Sequence, residues 1–184
     1  MEKMNVKPTR MMLTSLKKRL KTATRGHKLL KDKRDELMKE FLAVAKENGV
    51  LRQKVESHLA RVYRNFSMAS AITSWEVMEE SLMFPKQGVE LSVDTRNIMS
   101  VEVPIFDFKT TAEDPSDIFP YGLARTSGDL DNSVSELSEI FPVLLELAGK
   151  EKETVLLAAE LEKTRRRVNA LEYRTIPNLE ETIK

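Results

Sequence analysis

The chain has 184 residues, of which 41% are hydrophobic and 32% charged, with 30 Lys and Arg against 29 Asp and Glu and no cysteine. That length admits one domain or one elongated unit, and the high charged and low aromatic content suits long solvated helices better than a thick core. Without cysteine there is no disulfide scaffold, thiolate metal site or thiol nucleophile, and a formal net charge of +1 argues against a general nucleic-acid coat.

Charge is distributed unevenly. Residues 1–40 carry 13 Lys and Arg against 5 Asp and Glu, whereas residues 85–140 carry 4 against 11. A basic end and an acidic middle point to different partners. No apolar run reaches the ~18 residues of a membrane helix, and the N-terminus has no apolar core of a secretory signal, so a cytoplasmic location without membrane insertion is the expectation.

From Leu13 to Ile72, alternating steps of three and four pick out a largely apolar series at the 3.5-residue coiled-coil period. Its members include Leu13, Leu16, Leu20, Leu30, Leu37, Phe41, Leu51, Val55 and Val62, with His27, Arg34, Asn48, His58 and Asn65 as polar positions. This predicts one helix from near Thr9 to near Met83, roughly 105 Å long at the ~1.5 Å helical rise. The polar seam residues can fix register or face another protein.

Residues 84–129 follow neither helical nor heptad period. Val89, Leu91 and Val93 alternate with Glu90, Ser92 and Asp94, and Ile98, Met99, Val101 and Val103 follow Thr95-Arg96-Asn97. The pattern predicts two short strands turning at 95–97, followed by loops broken by Pro104, Pro115, Pro120, Gly122 and Gly128.

Residues 130–184 return to helix, marked by Leu130, Val134, Leu137, Phe141, Leu144, Ala148, Val155, Ala158, Leu161, Val168, Leu171, Ile176, Leu179 and Ile183. The phase slips near Ala158–Leu161 and again near Leu171, and Pro142 and Pro177 are expected to kink or restart the helix. The expected fold is mainly α: a long two-helix antiparallel coiled coil (1–83 and 130–184) with a small β-hairpin head (84–129) at the bend. Unequal helix lengths predict about 24 Å of the first helix without a partner. Together with the mid-period ending at Lys184, that raises the expectation of truncation.

Catalytic chemistry finds little support. Arg25-Gly26-His27-Lys28 has one glycine of a phosphate loop and lies in a helix. His27 and His58 stand roughly 46 Å apart along one helix, too far to share a metal, and read as packed seam histidines. Carboxylates such as Asp32, Asp35 and Glu36 read as surface ion-pair partners. No catalytic residue, cofactor or metal is expected. Basic residues Arg10, Lys17, Arg19, Arg25 and Lys28 on the first helix, and Arg165, Arg166 and Arg167 on the last, gather toward the open end as a possible positive collar.

Two blocks carry a family resemblance. Val6-Lys7-Pro8-Thr9-Arg10, Leu13 to Leu20 and the run from Ala23 to Leu37, then Glu162 to Tyr173 and Ile176 to Glu180, closely resemble the D subunits of V-type (V/A-type) rotary ATPases, with Asn97 to Pro104 similar too. The resemblance implies a non-catalytic central rotor axle that couples ATP synthesis or hydrolysis to H+ or Na+ transport. Its implied partners are the hexamer of A and B subunits, the F subunit on its side, and the funnel subunit (C/d) of the membrane rotor. On that reading Arg10, Lys17, Arg19, Arg25, Lys28, Arg165, Arg166 and Arg167 face the stator. Leu13, Leu16, Leu20, Leu30, Leu37, Phe41, Leu51, Val55, Val62, Leu161, Val168 and Leu171 form the seam, and Phe84, Phe106 and Phe108 are candidates either for anchoring the lower partner or, at least as readily, for packing the core of the head. Rival classes are a non-catalytic coiled-coil tether, and a nucleic-acid-binding hairpin, which the scarcity of aromatics beside the cations disfavours.

Overall fold

A computed structural model describes residues 6–110, 117–122 and 126–184, so the loop expectation at Pro115 lies outside the described residues. The elements are α1 (Arg10–Ile72), α2 (Trp75–Leu82), β1 (Val89–Ile98), β2 (Val101–Thr110), α3 (Gly128–Ala170), a π-helical turn (Leu171–Thr175) and α4 (Ile176–Ile183). Two long helices with a two-stranded hairpin between them in sequence make the fold mainly α. The chain divides into two compact units, one of Met1–Ala43, Ile98–Val101 and Thr154–Lys184, the other of Val44–Asn97 and Glu102–Glu153.

In the first unit the apolar period of α1 closes on α3. Leu16 and Leu37 are buried, Leu20, Leu30 and Phe41 half-buried, and Leu157, Thr164, Val168 and Leu179 are buried on the other chain segment. Lys33 reaches Glu160 at 3.7 Å and His27 reaches Glu172 at 3.4 Å. As α1 numbers fall the partner numbers rise, so the pairing is antiparallel. Val6 to Leu16 and Glu181 to Lys184 line one groove of about 460 Å³. The start of α1, where the sequence predicts about 24 Å of unpartnered helix, therefore has a partner within this unit.

Proline and phase explain the π turn. Pro177 has no N–H to offer an α-helical ladder. The preceding turn widens, with the Ile176 N–H bonding to the Leu171 carbonyl and the Thr175 hydroxyl donating to the Ala170 carbonyl at 3.1 Å. One extra residue in that turn produces the phase slip read near Leu171, setting Leu171, Thr175 and Leu179 four apart on the inner face. Pro142, in contrast, lies inside continuous α3 and does not restart it.

In the second unit Val55, Ile140 and Leu147 form a core flanked by Leu51, Leu59, Val143 and Leu144. A second core joins Ala69, Met78 and Leu130 with Phe66 and Tyr121. Burial and the neighbouring Asp131 hold the Tyr121 phenol above its ordinary pKa. The Ser133 hydroxyl donates to the Val62 carbonyl at 3.2 Å, Arg61 meets Glu136 at 3.0 Å, and Lys150 meets Glu47 at 2.9 Å. Pairing here is antiparallel as well.

Three sequence expectations change. The first helix does not run to Met83: it ends at Ile72, and Ser74 takes extended backbone (ψ 148°) before α2 begins, so Met78 swings into the Ala69–Leu130 core. The strands turn at Met99-Ser100, not at Thr95-Arg96-Asn97, and each is ten residues long. On α3, Val155 is 61% and Leu137 44% exposed and Ala148 is also exposed, while Ile140, Leu147, Leu157 and Thr164 are buried. The expected marks drifted because α3 packs on two sides. Within the second unit, Phe141, Gly149 and Glu153 meet the hairpin through Phe108, Phe106 and Arg96, blurring a single apolar stripe.

Met99 and Ser100 both have positive φ, 50° and 72°. A two-residue hairpin turn needs this hand at both positions, and L side chains there cost about 1–2 kcal/mol each. Replacing Met99-Ser100 by Asn-Gly should therefore raise unfolding stability by about 1–2 kcal/mol in urea titration, with slower amide exchange in β1 and β2. Leu37, fully buried, should cost about 2–5 kcal/mol as Leu37→Ala by the same titration.

Candidate functional site

From Arg10 to Lys31 the chain contains eight cations, Arg10, Lys17, Lys18, Arg19, Lys21, Arg25, Lys28 and Lys31, and no carboxylate. All eight are exposed, and none has an ion-pair partner among the described residues. The reason is local. The apolar seam uses every third or fourth position, so the remaining positions of an amphipathic helix point outward, and here most charged ones are basic. Uncompensated cations on a low-dielectric helix pair sum to a field that draws acidic surfaces within a Debye length of ~8 Å.

Arg165, Arg166 and Arg167 are exposed on α3 in the same unit. They fall between Glu160 and Glu172, hence beside the α1 stretch between Lys33 and His27. This sets them abreast of Leu30, between Lys28 and Lys31, while Arg10 lies 20 residues away, about 30 Å by helical rise. The basic residues thus form an axial ladder rather than a ring. Arg166 is tied to Glu162 one turn earlier, while Arg165 and Arg167 have no such pair among the described residues.

Under this charged face lies the seam. Leu16, Leu37, Val55, Val62 and Val168 are buried; Leu20, Leu30, Phe41, Leu51, Leu161 and Leu171 are half-buried, and Leu13 is 38% exposed. The polar seam positions differ among themselves. Arg34 turns to its neighbour Asp35 at 2.7 Å, the Arg61 guanidinium donates to His58 Nδ1 at 2.8 Å, and His27 approaches Glu172. The Asn48 Oδ1 is buried without a hydrogen-bond partner. Among the described residues no cluster of His, Asp and Glu could hold a metal ion.

The three phenylalanines separate. Phe106 packs beside Gly149 of α3, where an added Cβ would meet its ring at 3.4 Å, and Phe108 meets Phe141 edge-on at 5.9 Å. Phe84 is 77% exposed. Sequence reasoning missed its neighbours in kind around the α1–α2 junction, the exposed Ile72, Trp75 and Met83, because it ran one helix through Ser74. The only tryptophan of the chain, placed at a helix start, was the available signal.

Also missed was a charged network under the hairpin. Glu153 is almost fully buried and is held by Arg96 at 3.4 Å and Lys150 at 3.6 Å. Lys150 in turn bonds Glu47, and that hydrogen bond, ahead of the charge of Glu153, holds its ammonium above the ordinary lysine pKa. Partners 57 and 103 residues apart leave no mark in a linear pattern.

A family model described as the D subunit of ATP synthase matches residues 12–184. The chain is 59% identical to the D subunit of the V-type ATP synthase of Acetivibrio thermocellus over 98% of its own length and 82% of the relative's. It is 58% identical to the protein of the same description from Clostridium botulinum, covering 99% and 85%, and to that from Clostridioides difficile, covering 100% and 82%.

Two outcomes are expected. Asn48→Leu removes an unsatisfied buried amide oxygen and should raise stability by about 1–2 kcal/mol, read as a higher urea midpoint at unchanged slope. Lys150→Met leaves Glu153 with Arg96 alone and should lower stability by about 1–3 kcal/mol at neutral pH. Because the folded lysine pKa is raised, that contribution is full below the unfolded value of ~10.4 and fades as pH rises through the folded one, so wild type and variant should converge in strongly alkaline titrations.

Proposed function

The chain belongs to the family of ATP synthase D subunits, its relatives being V-type, and we propose on that footing that it is the central rotor axle of a V-type ATPase. It transmits torque between a hexamer of A and B subunits and a funnel subunit (C/d) above the membrane ring, with the F subunit on its side. ATP synthesis or hydrolysis is thereby coupled to movement of H+ or Na+. The chain itself is non-catalytic, binds no cofactor, and works on the cytoplasmic face; no helix of the described residues is long and apolar enough to cross a membrane.

The observation that carries this reading is the run of eight exposed cations, without ion-pair partners among the described residues, over an apolar seam. A shaft must resist twisting, and antiparallel helices locked by interdigitated apolar side chains do so. It must also turn against its socket, so its outward contacts should be exchangeable. Exposed ion pairs worth ~0.2–1 kcal/mol each meet that need, whereas buried aromatic anchors worth more than ~2 kcal/mol each would hold one angle. The acidic surfaces such cations seek belong to the stator. Phe84, exposed beside the α1–α2 junction, is the remaining candidate for the lower partner, since Phe106 and Phe108 are engaged with α3.

Native mass spectrometry with a purified V-type A/B hexamer and the F subunit should give one copy of this chain per hexamer; three or six copies would exclude a central axle. In the same system, Lys17→Glu, Arg19→Glu and Arg25→Glu together should weaken docking roughly 10- to 100-fold at low salt, with the gap closing as salt rises. Unchanged low-salt affinity would remove the basic ladder from the mechanism.

A further inference from the structure

From the hairpin alone, and independently of the axle reading, we infer that the open edge of β1 is a docking site for an extended segment of a partner protein in which apolar residues alternate with lysine or arginine.

Among the described residues the sheet has two strands, so β1 is hydrogen-bonded on one side to β2, and from Val89 to Asp94 its other side has no neighbouring strand to take up its backbone N–H and C=O groups. Natural proteins blunt such edges by keeping them short, by placing Pro or Lys on them, or by covering them. β2 carries Pro104 and Lys109, and it supplies the buried Val101 and Val103 together with Phe106 and Phe108. β1 is ten residues long, holds neither Pro nor Lys, and is exposed at nine of ten positions.

Its side chains specify the occupant. Val89, Leu91 and Val93 fall on one face of the strand and are 43%, 48% and 55% exposed, an uncovered apolar row on a solvated edge. Glu90 and Asp94 fall on the other face and make no ion pair among the described residues, while the cation of the strand, Arg96, is engaged by Glu153. A strand laid along this edge gains main-chain hydrogen bonds from the ladder, apolar cross-strand pairs beside Val89, Leu91 and Val93, and charge pairs where its cations meet Glu90 and Asp94. A second copy fits poorly in the register that lays Leu91 against Val93, and the register that would lay Glu90 against Arg96 competes with the Arg96–Glu153 ion pair. An antiparallel β1–β1 pair centred on Ser92 sets Glu90 opposite Asp94 twice over, and like charges directly opposite are destabilising.

The test uses the full chain and a fluorescein-labelled ten-residue peptide of alternating Val and Lys, with two controls. One has the same composition in two blocks, and the other is N-methylated at alternate residues so that it cannot pair. Anisotropy titration should give saturable one-to-one binding of the alternating peptide, with amide exchange slowed in β1 and unchanged in α1 and α3. Glu90→Lys with Asp94→Lys, both at exposed positions, should weaken binding roughly tenfold or more, as should N-methylation. Equal binding of the block or N-methylated peptide, or protection outside β1, would reduce the effect to charge and overturn the inference. Protection of β1 that grows with protein concentration in the absence of peptide would assign the edge to a second copy and overturn it too.

Discussion

Everything in this molecule depends on removing one apolar stripe of α1 from water. Leu16, Leu37, Val44, Val55, Val62 and Ala69 are each less than a tenth exposed, and they recur at the 3.5-residue spacing that keeps a seam facing a second helix. A helix of 63 residues exposes that stripe along its whole length unless another helix covers it, and α3 with α4 supplies the cover in both compact units. Each buried aliphatic side chain contributes about 1.5–3 kcal/mol of transfer free energy, more than any exposed ion pair on the surface. The salt bridges from Lys33 to Glu160 and from Arg61 to Glu136 then select register rather than supply the drive.

Once the seam is sealed, the outward positions are free to serve other purposes, and the two ends of α1 use them differently. Between Arg10 and Lys31 the charged ones are all basic and have no ion-pair partner among the described residues. Further on, Glu47, Arg52 and Arg61 are taken up by Lys150, Glu151 and Glu136. Charges satisfied within the chain stiffen it and have little left for a partner. Charges left unsatisfied keep their full reach into solvent. Ordinary surfaces intersperse both signs, so a face of one sign over this stretch departs from the usual pattern, and the rotor-axle reading proposed above gives it acidic partners to meet.

The hairpin follows the same division between a committed and an uncommitted side. Its β2 strand is fastened to α3 by Phe106 against Gly149 and Phe108 against Phe141, while β1 is held only through Arg96, which the buried Glu153 collects together with Lys150. Removing a carboxylate from water is costly unless cations meet it, so this network fixes where the hairpin lies as well as that it lies there. Up to that arginine β1 remains outside, hydrogen-bonded along its backbone only to β2 among the described strands.

What the sequence determined was whatever repeats at short range. The 3.5-residue period of α1 marked its inner face nearly residue by residue, Pro177 and the slip near Leu171 foreshadowed the π turn, and the alternation from Val89 to Val93 announced a strand. Its charge asymmetry marked the basic ladder, and two long blocks carried the family resemblance. Only tertiary structure decided that α1 stops at Ile72, because the break at Ser74 is set by Met78 reaching a core made with Leu130, more than fifty residues away. It likewise decided which α3 residues face inward, since a helix packed on two sides has no single stripe to read. It placed the turn at Met99-Ser100 against local preference, and it gathered Arg96, Lys150, Glu153 and Glu47 from three elements. Periodic burial is written into spacing; contacts between distant segments are not, because their energy depends on where the chain returns.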